Sequence, residues 1–180
     1  MLSSDNSHYE KCGKTERCID DEIPFEIPAS WVWVRLGEIA SVSSGKGLTS
    51  SQMKKSGEIP VYGGNGITGY HDEFNVNKQT LIIGRVGFYC GSTYITTVDS
   101  WITDNALILS FSSSNLSINW LKYFIDSQEL RKQTSSTAQP LVSGKLLYPI
   151  LFPLPPLVKQ NKIVESIDTI FSILDRLNKY

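Results

Sequence analysis

A glycine-rich segment at residues 64–69, with the sequence GNGITG, is the strongest match to a motif that carries chemistry. It fits the G-x-G-x-x-G pattern of dinucleotide-binding loops and follows an apolar run at residues 59–62. In those loops a helix begins at the third glycine, and its backbone amides face the pyrophosphate. Here residues 70–75 have no amphipathic spacing. The segment therefore predicts a tight turn that brings Asn65 close to a ligand, rather than a nucleotide site.

Catalysis has few candidate residues. Asp104, in WITDNA at 101–106, is the best-placed general base, but no histidine lies near it in the sequence. The sequence has no G-x-S-x-G elbow, no P-loop, no Asn/Asp-Pro-Pro-Tyr tetrad of amino-methyltransferases and no carboxylate set of a metal-dependent nuclease. Two histidines, and three cysteines without a Cys-x-x-Cys pair, predict no metal site. We therefore expect no catalytic residues, and Thr103 and Asn105 either brace a turn or face a ligand.

Several polar residues instead suit contact with nucleic acid. Arg85, in a glycine turn, can reach a phosphate or a guanine edge, although an ion pair with Asp99 or Asp104 is an equal alternative. Lysines in the Ser/Gly-rich loop at 43–57 stand near tyrosines, which suits phosphate contact and base stacking but also fits a solvated loop. Gln139 can pair with adenine or cap a helix. The candidate DNA-binding residues are Lys46, Lys54, Lys55, Tyr62, Asn65, Tyr70, Arg85, Tyr89, Thr103, Asn105, Gln139 and Lys145.

Charge is distributed unevenly along the chain. The sequence of 180 residues has 17 basic and 18 acidic residues, a net charge of −1. Residues 1–26 hold seven of the acidic and three of the basic residues, which leaves 11 acidic and 14 basic residues, a net charge of +3, in 27–180. This mild excess neither requires nor excludes a phosphate-binding face, because clustering on one surface decides binding.

The apolar pattern predicts an α+β fold, in which a β-rich domain with a few helices precedes a coiled-coil-like C-terminal helix. A polar, acidic leader or linker is predicted at 1–26, the domain at 27–157 and the last helix at 158–180. A further helix is predicted from Asn115 or Ser117 to about Thr134. The predicted strands are 32–36, 59–62, 80–83, 88–90, 92–98 and 106–111, with a last extended run at 146–154.

The helix at 158–180 carries the clearest periodicity. Its apolar residues recur at spacings of four, three, four and three, which is typical of an a/d seam with a heptad period. Such a helix either packs on its own domain or reaches a partner, and the double proline Pro155 and Pro156 before it favours the second. The seam residues are Ile163, Ile167, Ile170, Leu174 and Leu177.

Six short motifs follow one another in a fixed order along most of the chain. They are WVWVRLG at 31–37, IPVYGGNG at 59–66, IIGRVG at 82–87, WITDNA at 101–106, TAQP at 137–140 and PLPPL at 153–157. Their order resembles one half of the DNA specificity subunit of type I restriction–modification systems. The resemblance implies a target recognition domain at 27–157 and a spacer or dimerisation helix at 158–180. In full-length members, two such domains joined by two long antiparallel helices each read one half of a split DNA sequence.

The resemblance also implies partners. A specificity subunit is non-catalytic and binds double-stranded DNA, methyltransferase subunits and restriction subunits. Those partners bind S-adenosylmethionine, ATP and magnesium, so we expect no cofactor on this chain. A half-subunit can form a homodimer through the seam and read a two-fold symmetric site. The last helix has no Gly or Pro stop and is expected to be truncated, and the chain is expected to be cytoplasmic, without a membrane segment.

Two other functions stay open at this level. One is a recognition domain separated from a fused methyltransferase, which would lack a spacer seam. The other is a free-standing β-rich module that binds a sugar or a protein through Trp31, Trp33 and the tyrosines. Binding by such a module would be insensitive to salt and would not extend to duplex DNA.

Overall fold

The computed structural model describes residues 7–134 and 140–178 and has a mixed α+β fold, which confirms the predicted class. No helix within these described residues is long and apolar enough to cross a bilayer. The strands are β1 (Tyr9–Cys12), β2 (Thr15–Cys18), β3 (Val32–Arg35), β4 (Ala40–Ser44), β5 (Ile59–Gly63), β6 (Gly66–His71), β7 (Leu81–Gly84), β8 (Thr93–Ile95), β9 (Trp101–Ile102), β10 (Ala106–Phe111) and β11 (Leu151–Leu154). The helices are α1 (Leu36–Ile39), α2 (Ile118–Ser127), α3 (Leu130–Gln133), α4 (Gly144–Leu147) and α5 (Leu157–Leu177), with a 3-10 helix at Asp20–Glu22.

The main core lies on one face of a four-stranded sheet, ordered β4-β10-β7-β8, in which all neighbours are antiparallel. Strand β7 is buried on both faces, because Leu81 and Ile83 belong to this core and Ile82 belongs to a second one. This is the two-residue alternation of a pleated strand. The fully buried side chains of the main core also include Leu36, Leu121, Ile125, Leu147 and Phe152.

A second sheet has three strands in the order β6-β5-β9, with β5 antiparallel to β6 and parallel to β9. A smaller core joins it to the main sheet, and Tyr62, Ile82, Ile102 and Ala106 form this core. Because β5, β7 and β9 all contribute to it, the turns that follow these strands are held close together.

Within the segment predicted as a leader or linker (1–26), residues 9–22 form a hairpin and a 3-10 helix that contact the domain. Strands β1 and β2 form an antiparallel hairpin, and Arg35 of β3 joins it to the domain. The Arg35 guanidinium donates from Nε to Glu10 Oε1 at 2.6 Å and from Nη2 to Glu22 Oε2 at 2.8 Å. These hydrogen bonds hold the pKa of both carboxyl groups below the ordinary glutamate value. Two of the acidic residues in this segment therefore neutralise the charge of Arg35. The order of residues along the chain does not reveal this pairing.

Three predicted elements differ from the structure. Residues 88–90, predicted as a strand, form a turn, and the Cys90 N–H donates to the Gly87 carbonyl oxygen at 3.1 Å. The helix predicted to run to about Thr134 is broken by Glu129, whose φ of 46° places it in the left-handed region. Residues 146 and 147, predicted as the start of the extended run at 146–154, belong to helix α4. Short apolar runs fit a strand or a buried helical turn equally well, so periodicity alone does not distinguish them.

Helix α5 is joined to the domain by a fully buried amide side chain. Gln160 accepts the Ser117 N–H at 2.8 Å through Oε1, and its Nε2 donates to the carbonyl oxygens of Asn115 and Pro155, each at 2.8 Å. The three bonds join the start of α2, the end of β11 and the first turn of α5. Because a buried amide without partners would be costly, this residue fixes where α5 leaves the domain.

The seam residues of α5 divide into two groups. Ile163 and Ile167 are partly buried, close to the buried Val164, and the Tyr123 hydroxyl of α2 donates to Asp168. That bond raises the pKa of Tyr123 to about 12. The remaining seam residues, Ile170, Leu174 and Leu177, are exposed, as are Phe171 and Ile173. The first half of α5 thus packs on its own domain, and the second half leaves an apolar face uncovered.

Replacing Gln160 with alanine should lower the free energy of unfolding by about 2–4 kcal/mol, because one buried N–H and two carbonyl groups lose their partner. Chemical denaturation followed by circular dichroism measures this loss. The exposed neighbour Asn161→Ala serves as a matched amide control and should change stability little. Equal stability of the two variants would contradict the role given to Gln160.

Candidate nucleic-acid interface

An open groove with a volume of about 520 Å³ lies where three turns meet. We call it the polar groove. Its walls come from the turn between β5 and β6, the loop after β7 and the loop between β9 and β10, with residues of the loop after β4 at one side. The lining residues are Leu48, Ser50, Met53, Gly63, Gly64, Asn65, Thr68, Val86, Gly87, Phe88, Tyr89, Thr103 and Asn105.

Close backbone approach fixes the shape of the polar groove. A Cβ atom at Gly84 would lie 2.3 Å from the Gly64 carbonyl oxygen, and one at Gly64 would lie 2.9 Å from the Val86 carbonyl oxygen. Only glycine fits at such contacts. The Arg85 N–H donates to the Asn105 carbonyl oxygen at 2.9 Å, so the loops are also tied by a hydrogen bond.

The glycine-rich segment at 64–69 forms a two-residue turn followed by strand β6, as expected from the missing helix pattern. The turn places Asn65 at the mouth of the polar groove, where its Oδ1 accepts a long hydrogen bond of 3.5 Å from the Tyr94 hydroxyl. The third glycine therefore continues a hairpin, and no helix N-terminus faces the groove from this segment.

Thr103 is the residue of the polar groove with the clearest unmet bonding capacity. The residue is only 3% exposed, and its Oγ1 has no hydrogen-bond partner among the described residues. Its backbone N–H donates to the Tyr62 carbonyl oxygen at 2.9 Å, which holds the residue in place. Since buried polar atoms are nearly always satisfied, this hydroxyl is suited to a ligand that enters the groove.

Arg85 lies beside the polar groove without an ion pair in the described part of the chain. Its Nη1 donates to Ser44 Oγ at 3.3 Å and to the Asp104 backbone carbonyl at 3.4 Å. The structure therefore does not pair Arg85 with either carboxylate considered from the sequence. Arg85 contacts the backbone of Asp104, and the Asp99 carboxylate accepts the Lys78 N–H at 2.9 Å. The guanidinium charge stays available for an anion.

The structure places the other candidate residues in different surroundings. Lys54 forms an ion pair with Asp72 at 2.6 Å, which lowers the pKa of that carboxyl group, and its backbone pairs with Tyr70. Lys46 Nζ lies 5.5 Å from the centre of the Trp101 ring. Tyr62 is buried beneath the groove in the smaller core, and this burial raises its pKa.

Of the twelve candidates, the polar groove gathers a subset as lining residues: Asn65, Tyr89, Thr103 and Asn105. Lys55 and Lys145 are exposed and do not line it, and Gln139 lies outside the described residues. Sequence reasoning missed Phe88, which lines the groove beside Tyr89. The available signal was a pair of aromatic residues enclosed by glycines at 87 and 91.

Comparisons with known proteins identify the family to which this architecture belongs. A family model described as type I restriction modification DNA specificity domain matches residues 28–179. The chain is 30% identical over 138 residues to the type I restriction enzyme EcoprrI specificity subunit of Escherichia coli, which covers 74% of this chain and 34% of that protein. It is 25% identical over 187 residues to the EcoAI specificity subunit of Escherichia coli, covering 88% of this chain and 31% of that protein.

Solved structures have the same fold. The S subunit of a type I restriction–modification system from Mycoplasma genitalium superposes with a TM-score of 0.67 at 26% identity, covering 84% of this chain and 41% of that one. The HsdS subunit from Thermoanaerobacter tengcongensis gives 0.70 at 24% identity, covering 87% and 41%. The chain spans about a third of the length of these curated relatives (34% and 31%) and about two fifths (41%) of these structures.

Thr103→Val should raise the free energy of unfolding by about 1 kcal/mol, because it replaces a buried, unpartnered hydroxyl with a methyl group of the same shape. Thr96→Val is the matched control, since the Thr96 hydroxyl is also buried but accepts the Thr80 N–H at 3.0 Å and donates to the Asn77 carbonyl at 3.1 Å. That variant should lose stability. Thermal or urea denaturation compares the two, and a loss at Thr103 would show that its hydroxyl has a partner in solution.

Proposed function

The chain belongs to the family of type I restriction–modification DNA specificity domains, and on this basis we propose that it reads one half of a bipartite DNA target for a restriction–modification complex. The membership confirms the resemblance inferred from the order of the six motifs. In this proposal the chain recognises DNA and leaves catalysis to other subunits, in agreement with relatives that are named specificity subunits.

One observation carries the assignment of the DNA-contacting surface: the polar groove combines a buried, unpartnered hydroxyl with two exposed amide side chains. Thr103 provides the hydroxyl, and Asn65 and Asn105 provide the amides. Asparagine can pair bidentately with adenine, and threonine can bond to either kind of base edge. These groups therefore fit the readout of bases, while Arg85 beside them fits a phosphate or a guanine edge.

The surroundings of the remaining candidates divide them by role. Lys46, Lys55 and Lys145 are exposed and suit phosphate contacts, which position the protein without reading sequence. Lys54 would have to exchange Asp72 for a phosphate. Tyr62 is buried in the smaller core, so the proposal does not use it as a stacking residue.

Arg85→Ala and Lys46→Ala should each weaken binding to a mixed-sequence duplex about tenfold at about 50 mM salt, with a flatter salt dependence than the parent. Fluorescence anisotropy with a labelled duplex measures both quantities. Lys11→Ala is the matched control, because Lys11 is an exposed lysine of the N-terminal hairpin and is distant in sequence from the groove residues. This variant loses the same charge and should bind like the parent. Parent affinity in both groove variants would rule out this DNA-contacting face. Salt-insensitive binding without affinity for duplex would favour a free-standing binding module.

The proposal extends to partners. We propose that methyltransferase and restriction subunits dock to this chain and carry S-adenosylmethionine, ATP and magnesium, and that the assembly acts in the cytoplasm. A single recognition domain reads one half-site, so the second half requires another domain. A second copy of the chain is one source, because a symmetric dimer reads a symmetric site.

The uncovered face of α5 supports such a dimer. The helix has 21 residues and a length of about 32 Å at 1.5 Å per residue, and its last turns expose Ile170, Leu174 and Leu177 on one side. Contiguous exposed apolar surface is typical of an interaction site. Pairing of two such helices would bury this face as a coiled-coil seam.

Leu174→Asp should convert the dimer to a monomer, because a carboxylate in the seam loses its hydration when the helices pair. Static light scattering measures the mass. Ser172→Asp adds the same charge two residues away, on the opposite side of the helix, and should leave the mass unchanged. If the Leu174 variant keeps the mass of the parent, the seam is not the contact.

A further inference from the structure

The loop between β7 and β8 has an unusual turn at its end. The Cys90 N–H donates to the Gly87 carbonyl oxygen at 3.1 Å, so Phe88 and Tyr89 occupy the two central positions of a hydrogen-bonded β-turn. These positions ordinarily hold Gly, Pro, Asn, Asp or Ser. A residue type that disagrees with the preferences of its turn is expected mainly where function requires it. We call these two residues the aromatic tip.

Both rings of the aromatic tip are largely in water. Phe88 is 66% exposed and Tyr89 is 51% exposed, and their ring centres lie 5.0 Å apart with the planes at 79°. The guanidinium carbon of Arg131 lies 3.9 Å from the centre of the Phe88 ring. Tyr89 and Arg131 both contact the Phe88 ring, so a large apolar surface has two supporting neighbours without being buried.

The aromatic tip separates two hollows. Phe88 and Tyr89 line the polar groove on one side, and on the other they line a hollow of about 660 Å³ formed with α2 and α3. A ligand in the polar groove therefore meets the rings as soon as it extends past Asn65 or Asn105.

Charge around the aromatic tip favours a nucleic acid. Two acidic residues line the hollow of about 660 Å³, and both are already paired. Asp126 pairs with Lys122 at 2.6 Å and Glu129 pairs with Lys132 at 2.5 Å. Arg131 has no ion pair among the described residues, and neither does Arg85 at the base of the same loop. One of these guanidinium groups, that of Arg131, lies over the Phe88 ring, and cationic groups beside exposed aromatic faces are the combination that binds a base and its phosphate.

We propose that the aromatic tip inserts beside a base pair of the bound DNA and stacks on an exposed base face, with Arg131 supporting the Phe88 ring. This inference rests on the proposed DNA-reading function and adds a residue pair that shapes the bound DNA. Apolar side chains that enter a base step unstack it and bend the duplex. The polar groove and the aromatic tip therefore have different roles, since one reads base edges and the other holds an opened step.

The test uses mixed-sequence duplexes that carry 5-iodouracil in place of thymine, with the complete chain. Irradiation should attach the duplex to Phe88 or Tyr89, as mapped by mass spectrometry, and Phe88→Ala should weaken duplex affinity about tenfold. Phe88→Trp should retain affinity because it keeps a stacking face. Phe25→Ala is the matched control, because Phe25 is 54% exposed, packs against Trp33 and does not line the polar groove.

Each result is decisive for a different part of the inference. Parent binding that persists in Phe88→Ala, with no adduct on the aromatic tip, overturns the stacking proposal and leaves the DNA-reading function in place. Absence of duplex binding by the parent chain overturns both. Loss of binding to a purified methyltransferase subunit in Phe88→Ala, with unchanged duplex affinity, identifies the aromatic tip as a protein contact and also overturns the proposal.

Discussion

The polar groove depends on a backbone contact that leaves no space for a side chain. The Gly64 carbonyl oxygen lies 2.3 Å from the position that a Cβ atom of residue 84 would take, and this contact joins the end of β5 to the end of β7. Both strands are anchored by buried residues, so the turns beyond them have little freedom to separate. Asn65 and Thr103, which would contact DNA in the proposed function, lie in loops. Each of these loops directly follows an anchored strand, so both residues have little freedom to move. Preorganisation of this kind reduces the entropy lost on binding.

The polar groove and the long helix belong to one packed unit. The main core extends from β7 through α2 to β11, and Gln160 ties the first turn of α5 to both of the latter elements. The direction of α5 is thus set by the same core that supports the polar groove. This fixed relation suits the proposed reading of one half of a split site, because a hinge at this point would let the distance between half-sites vary.

The sequence predicts features that local chemistry determines. The glycines at 64 and 66 predict a turn and the apolar run at 80–83 predicts a strand, and the structure has both. The pairing of Arg35 with Glu10 joins residues 25 positions apart, and no local pattern reports it. Likewise, the break at Glu129 lies within an apolar pattern that continues on both sides, because α2 and α3 both bury leucines.

The sequence predicts several residues of the candidate site from their types, but it does not predict which of them are buried or paired with another charge. The glycine-rich turn indicates Asn65, the polar side chains between apolar flanks at 101–106 indicate Thr103 and Asn105, and the structure brings all three into one groove. The burial of Tyr62 and the pairing of Lys54 with Asp72 depend on which strands become neighbours. Phe88 was missed because an aromatic residue next to apolar neighbours is typical of a strand, and only the hydrogen bond from Cys90 to Gly87 shows the turn.

The pairing of β3 with β11 has a consequence for how such a domain can change over time. Val32 and Leu154 are register partners, so the chain enters and leaves the recognition domain at neighbouring positions. A segment with adjacent ends can be exchanged for another of similar span without altering what lies on either side. Recombination at these two positions would replace the groove residues together with Asn115, Ser117 and Tyr123, so the incoming segment has to supply equivalent contacts to α5. Under the proposed function, exchange of such a segment would change the groove residues all at once, rather than one substitution at a time.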